Sequence, residues 1–175
     1  MSIEIEDDPR TEPPTRGDDR AMLAGFLRRQ RETLELKCSD LDAEQLARRS
    51  VEPSSMSLLG LLRHMAEVER SWFRRIMSGE DAPKIYCTEA DPDGDFDGAA
   101  PDPALVTEAW ANWRAEIAHA DRFVAEAPDL DVTREEKWRG AMSLRWVLIH
   151  MIEEYGRHNG HADLLRERID GAVGQ

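Results

Sequence analysis

The chain has 175 residues, enough for one domain with a sizeable core. Its 36 acidic residues against 23 basic ones give a formal net charge of −13, which argues against a surface for nucleic acid or anionic membrane. No apolar run approaches the ~20 residues that cross a bilayer, and the acidic start MSIEIEDD lacks the apolar core of a secretory signal. Two cysteines far apart, Cys38 and Cys87, make neither a disulfide framework nor a zinc knuckle. The composition predicts a soluble, cytoplasmic protein.

Residues 1–17 hold three prolines and many charges and read as an extended arm ahead of a domain over residues 18–171. Asp18 or Asp19 can cap a first helix to about Lys37, whose positions Met22, Leu23, Phe26, Leu27, Gln30, Leu34 and Cys38 keep a helical period. Ser57 is the expected N-cap of a second helix, with Leu58, Leu61, Leu62, Met65, Val68, Trp72 and Ile76 on its apolar face and Gly79 as its stop. His64 lies on the margin of that face, and Glu67 and Glu69 are expected to be solvated or salt-bridged.

Residues 79–103 are turn-rich and acidic. Asp91, Asp93, Asp95 and Asp97 resemble a calcium loop, but Ala104 stands where the bidentate Glu belongs, so a plain connection is the better reading. A third helix over about residues 103–127 carries Leu105, Val106, Ala109, Trp110, Trp113, Ile117, Ala120 and Val124, with His119 expected at the surface. Residues 128–142 form a connection, with VTREEKWRGAMS read as a strand-like or an irregular crossover and Trp138 expected to tuck over the bundle. Ser143 caps a fourth helix that Asp170 and Gly171 end. Four helices, each with one apolar face, predict an all-α four-helix bundle with long connections, whose topology need not be simple up-down-up-down.

The fourth helix carries the chemistry. On helical geometry Glu154 and His158 lie about 40° apart on one face, with His161 within about 20° of Glu154 and His150 one turn upstream. Val147, Met151, Tyr155, Ala162 and Leu165 occupy the adjoining apolar side. Ionisable groups at the edge of a buried face cost several kcal/mol unless they are paired or bind a metal. The i, i+4 spacing lets Glu154 and His158 reach one ion, and a bundle can bring His64 opposite them. By spacing alone, a boundary hydrogen bond is as good a reading. Two nitrogens and one oxygen suit zinc, nickel, iron or manganese, and three protein ligands leave a position for water or substrate. Gly156 and Gly160, costly inside a helix, suggest close approach of a neighbouring helix or room for a ligand.

HMAEVERSWF at residues 64–73 and EEYGRHNGHADLLRE at residues 153–167 resemble the DinB-like superfamily over most of residues 20–170. The closest branch is similar to mycothiol-dependent maleylpyruvate isomerase. The resemblance implies a four-helix bundle with one divalent metal, held by a histidine of the second helix and two ligands one turn apart in the fourth. Many members carry His-x-x-His-His-x-Gly-Gln there, with the first and the last His as ligands. Aligning that last His with His158 sets Gly160 on the Gly, Glu154 on the first His and His161 on the Gln. Glu in place of the first His is also found in the isomerase branch. The implied ligands are therefore His64, Glu154 and His158. His161 is read as standing behind them or facing the substrate.

The implied activity is that of a divalent-metal-dependent transferase or isomerase, using a mycothiol-type low-molecular-weight thiol and a small electrophile. The ion would be zinc, or else nickel. A bound ion lowers a thiol's pKa, and the thiolate then attacks the electrophile. His161 or Glu67 is the candidate for proton transfer. Arg157 and Arg145 could hold a substrate carboxylate, although plain helix-surface charge is the better reading for both. A metal-dependent hydrolase and a non-catalytic metal-binding stress-response protein are the alternatives. Leftover apolar faces would allow a homodimer.

Overall fold

Short polar side chains start each of the four long helices. In the computed structural model, which describes residues 8–173, Asp18, Ser57, Asp102 and Ser143 each accept a hydrogen bond from a first-turn amide. Such caps contribute about 1 kcal/mol each. They open α1 (Asp19–Cys38), α3 (Leu58–Glu69), α5 (Pro103–Glu126) and α6 (Leu144–Asp170). Two short helices, α2 (Ala43–Ala47) and α4 (Gly94–Asp97), lie in connections, and β1 (Thr133–Glu136) pairs antiparallel with β2 (Gly140–Ser143). The result is an all-α, DinB-like bundle. No described helix is long and apolar enough to cross a membrane.

Cross-helix contacts give the helix directions. Arg145 at the start of α6 pairs with Asp19 at the start of α1, and Arg166 near the end of α6 donates to the carbonyls of Lys37 and Ser39 at the end of α1. These two helices are parallel. The end of α1 meets the start of α3, where Cys38 approaches the Leu58 carbonyl, so α3 runs back. Arg31 of α1 reaches Asp121 of α5, and Arg20 reaches the carbonyls of Val124 and Ala127, so α5 also runs against α1. The order is up, down, down, up. Because α3 and α5 are parallel, the chain between them must return along the bundle, which accounts for one long connection. The first seven residues of the expected N-terminal arm lie outside the described residues. The rest of the arm lies along α1, where Arg10 bonds Thr33 and the Thr11 amide bonds Glu32.

A charged cluster sits inside the core. Glu69 is fully buried and takes a two-point ion pair from Arg31, at 2.7 and 2.8 Å. Tyr155 Oη donates to Glu69 Oε1 at 2.8 Å, and Trp113 Nε1 donates to Tyr155 Oη at 2.9 Å. One network thus ties α1, α3, α5 and α6. Burial opposes the Arg31 charge, but the Glu69 carboxylate outweighs it and holds the guanidinium above its ordinary value. Burial, with Glu69 beside it, raises the Tyr155 phenol well above its own. Beyond Glu69 the second helix continues as a π-helical segment, Arg70–Met77, clamped to α5 by Arg70 and Arg74 on Glu116 at 2.6 and 2.9 Å.

The change of helical register alters the expected apolar face. Phe73 and Met77 are buried, whereas Val68 and Ile76 are only partly so. Three other expectations fail. Trp138, at the tip of the hairpin, is 81% exposed because the tight β1–β2 turn projects it into solvent rather than over the bundle. His119 is not at the surface: its ring is mostly covered and its Nε2 lies 2.9 Å from Ser78 Oγ. Phe26 is 46% exposed, and the charged Arg31 takes a core place on the same helix.

Glu69→Ala removes the buried partner of Arg31 and leaves the guanidinium only the exposed Asp121, so it is expected to cost about 3 kcal/mol. Replacing both Arg31 and Glu69 by Met is expected to restore much of that loss in urea unfolding. Additive losses in the double variant would contradict the pairing.

Candidate metal centre

His64 of α3 meets Glu154 and His158 of α6 across the cleft between the two helices. One ligand atom from each lies within 4.8 Å of the others. The rings of His64 and His158 are 4.7 Å apart between centroids. Side-chain exposures of 25%, 15% and 11% for His64, Glu154 and His158 place the three groups at the edge of the core, partly exposed.

Each donor is prepared by a neighbour. Asp95 Oδ2 lies 2.7 Å from His64 Nδ1, which leaves Nε2 as the free nitrogen of that ring. Phe96 stacks on His64 at 5.0 Å between ring centroids. Arg157 donates to Glu154 Oε1 at 2.8 Å, while Oε2 stands 3.7 Å from His158 Nε2. One carboxylate oxygen is thereby neutralised and the other faces the imidazole. His161 Nδ1 lies 3.4 Å from His158 Nδ1, on the far side of that ring from Glu154. Burial, with His64 and His161 nearby, pushes His158 down to about 4, so it is neutral with a lone pair available at pH 7. Asp95 keeps its charge: burial opposes ionisation, but His64 holds the carboxyl below its ordinary value. Two imidazoles, one of them held neutral, and a carboxylate oxygen with ligand atoms within 4.8 Å of one another are a donor set that suits a divalent ion.

The other candidate residues are placed differently. Glu67 Oε1 accepts from the amides of Tyr86 and Cys87, so this carboxylate is engaged by the connection passing over α3. Arg145 pairs with Asp19 and Asp131 at the far end of α6, away from the cleft. Gly156 and Gly160 are exposed, and a Cβ on either would meet nothing within 4 Å, so no neighbouring helix approaches them. Cys38 is buried and its thiol is pushed up to about 12 by burial; the Cys87 thiol is also raised, chiefly by burial.

The residue that sequence reasoning passed over is Asp95, which sits in the acidic stretch read as a plain connection. The aromatic wall also went unread: His150 stacks on Trp146 at 4.9 Å and meets Trp72 at 4.8 Å, and its Nε2 is 3.9 Å from Glu154 Oε1. The spacing Trp146, His150, Glu154, His158, four residues at each step, was the available signal. For Asp95 there was none, since its partner lies 31 residues away.

The mycothiol-S-transferase family model matches residues 22–171. The chain belongs to this family. The family lies within the DinB-like superfamily. No curated protein sequence matches the chain. Among solved structures, one described as the conserved protein of a locus from Enterococcus faecalis is similar, at 14% identity and a TM-score of 0.57. The match covers 86% of this chain and 96% of that one, and it supports the fold alone.

In the metal-free protein, NMR signals of the His158 ring are expected to titrate with a midpoint near 4, against an ordinary 6.5. The folded value lies below the unfolded one, so the unfolded chain takes up the proton first. Stability should therefore fall as pH drops from 6.5 through 4, and fall less in His158→Gln. A His158 midpoint near 6.5 would contradict this account.

Proposed function

We propose that this mycothiol-S-transferase family member moves a mycothiol-type thiol onto a small electrophilic molecule at a divalent metal held by His64, Glu154 and His158. Convergence of those three side chains from two helices at the partly exposed edge of the core carries the reading. Zinc is the first candidate and nickel the second, because two imidazole nitrogens and one carboxylate oxygen suit both ions. When bound, such an ion supplies Lewis acidity that favours the thiolate form of a thiol at neutral pH.

The chain's own residues supply the rest. His64 and His158 offer ring nitrogens, and Glu154 offers Oε2. Glu154 lowers the net charge at the centre relative to three histidines, which makes a thiolate held there more electron-rich. Arg157 keeps Oε1 of Glu154 engaged, so the carboxylate presents one oxygen to the centre. One turn from Glu154, His150 packs with Trp72 and Trp146, and the part-exposed Trp146 ring of this aromatic cluster offers apolar contact for the body of a substrate. The Arg139 guanidinium stands 5.6 and 5.9 Å from the two indole centroids.

The test is an assay with zinc-loaded protein, mycothiol and 1-chloro-2,4-dinitrobenzene as a generic electrophile. Conversion above the uncatalysed rate is expected only when thiol and metal are both present, and His158→Ala should lose at least tenfold. Metal-dependent turnover of esters or amides without thiol would replace this reading with a hydrolase.

A further inference from the structure

The connection between α3 and α5 returns along α3 and makes contacts with it in strict reverse order. Arg70 donates to the Pro83 carbonyl, and Glu67 accepts from the amides of Tyr86 and Cys87. Arg63 then donates to the carbonyls of Gly94 and Asp95 at 2.9 Å each, and its guanidinium lies 4.0 Å from the Tyr86 ring centroid. Two glycines permit the fit. A Cβ on Gly60 would meet Phe96 Cδ1 at 2.9 Å, and one on Gly94 would meet the Tyr86 carbonyl oxygen at 2.5 Å. This packing puts a buried carboxylate against the outer nitrogen of His64. Asp95 has both oxygens engaged, Oδ2 with His64 Nδ1 at 2.7 Å and Oδ1 with the Phe96 amide at 3.0 Å.

We infer that Asp95 is a positioning residue: its carboxylate fixes His64 as the Nδ1–H tautomer, with Nε2 free and turned to Glu154 and His158. An ionised carboxylate can only accept, so the proton between the two must come from the ring. When the ring carries a single proton, and carries it on Nδ1, its lone pair is on Nε2. Phe96 stacked on one face of the ring limits its rotation about χ2. A carboxylate behind a metal-binding imidazole sets its tautomer and raises its basicity, and losing such a partner weakens metal binding by about 10–100-fold. The consequence for metal affinity rests on the reading that His64 is a ligand. The tautomer does not depend on it.

Two readouts test this on the full chain. Long-range 1H–15N correlation spectra of metal-free, thiol-free protein report the His64 tautomer. Competition with a chromophoric chelator reports zinc affinity. Wild type is expected to show Nδ1–H. Asp95→Ala is expected to shift the ring toward Nε2–H and to bind zinc about 10–100-fold more weakly. Asp95→Asn keeps the size of the side chain but has one acceptor oxygen for two N–H donors, so with that oxygen on the Phe96 amide its NH2 faces Nδ1. It should move the ring toward Nε2–H and weaken zinc binding in a chain that still folds, which a purely structural role for Asp95 would not do; Nδ1–H unchanged with the Phe96 contact kept would count against the inference. If Asp95→Ala fails to fold, Asp95→Asn decides through the tautomer. Nε2–H in wild type, or Nδ1–H unchanged in Asp95→Ala, would overturn the inference. An Nδ1–H tautomer that depends on Asp95, in a protein that binds no zinc, would uphold the positioning role and overturn the metal reading.

Discussion

The ion pair between Arg31 and Glu69 constrains the whole bundle. A fully buried carboxylate tolerates no drift: its desolvation is offset only while the guanidinium fork, the Tyr155 hydroxyl and, through it, the Trp113 indole stay in register. Each of these groups belongs to a different long helix. The network therefore locks rotation and sliding of α3 against α6. Glu69 follows His64 on α3 by five residues, and Tyr155 is the neighbour of Glu154 on α6. The contact that fixes the core thus also sets where His64 meets Glu154 and His158.

The parallel pairing of α3 with α5 is the second constraint. The chain has to come back along α3 before α5 can start, and that return stretch supplies what the helix face lacks. Glu67, Arg63 and Gly60 on α3 form a track for it, and Asp95 and Phe96 arrive at His64 from behind. The three side chains are partly exposed, and His64 is braced from behind. A braced donor set loses less conformational freedom when it binds an ion.

The helical pattern, the capping residues Asp18, Ser57 and Ser143, and the i, i+4 pair of Glu154 and His158 were legible because they are local. The approach of His64 to that pair was legible only through resemblance to a known family. Spacing within one helix says nothing about another. Glu69 was legible as a salt-bridged residue but not as a core one, since its place inside depends on Arg31 of another helix. Val68 looked like core and lies at the margin, because burying Glu69 turns α3 and the π-helical segment beyond it shifts the register again. Asp95 was hidden by its company, four alternating aspartates that look like solvated loop. Trp138 misled in the opposite direction: a large aromatic side chain suggested cover, but its hairpin turn leaves it facing water.

If His64, Glu154 and His158 together hold one divalent ion, elemental analysis of untagged protein purified without chelator should find it, beside His64→Ala, Glu154→Ala and His158→Ala variants. About one zinc or nickel per chain is expected in the wild type, and its loss in all three folded variants. Wild-type protein that stays metal-free after exposure to several divalent ions, or variants that keep a full complement, would contradict that assignment.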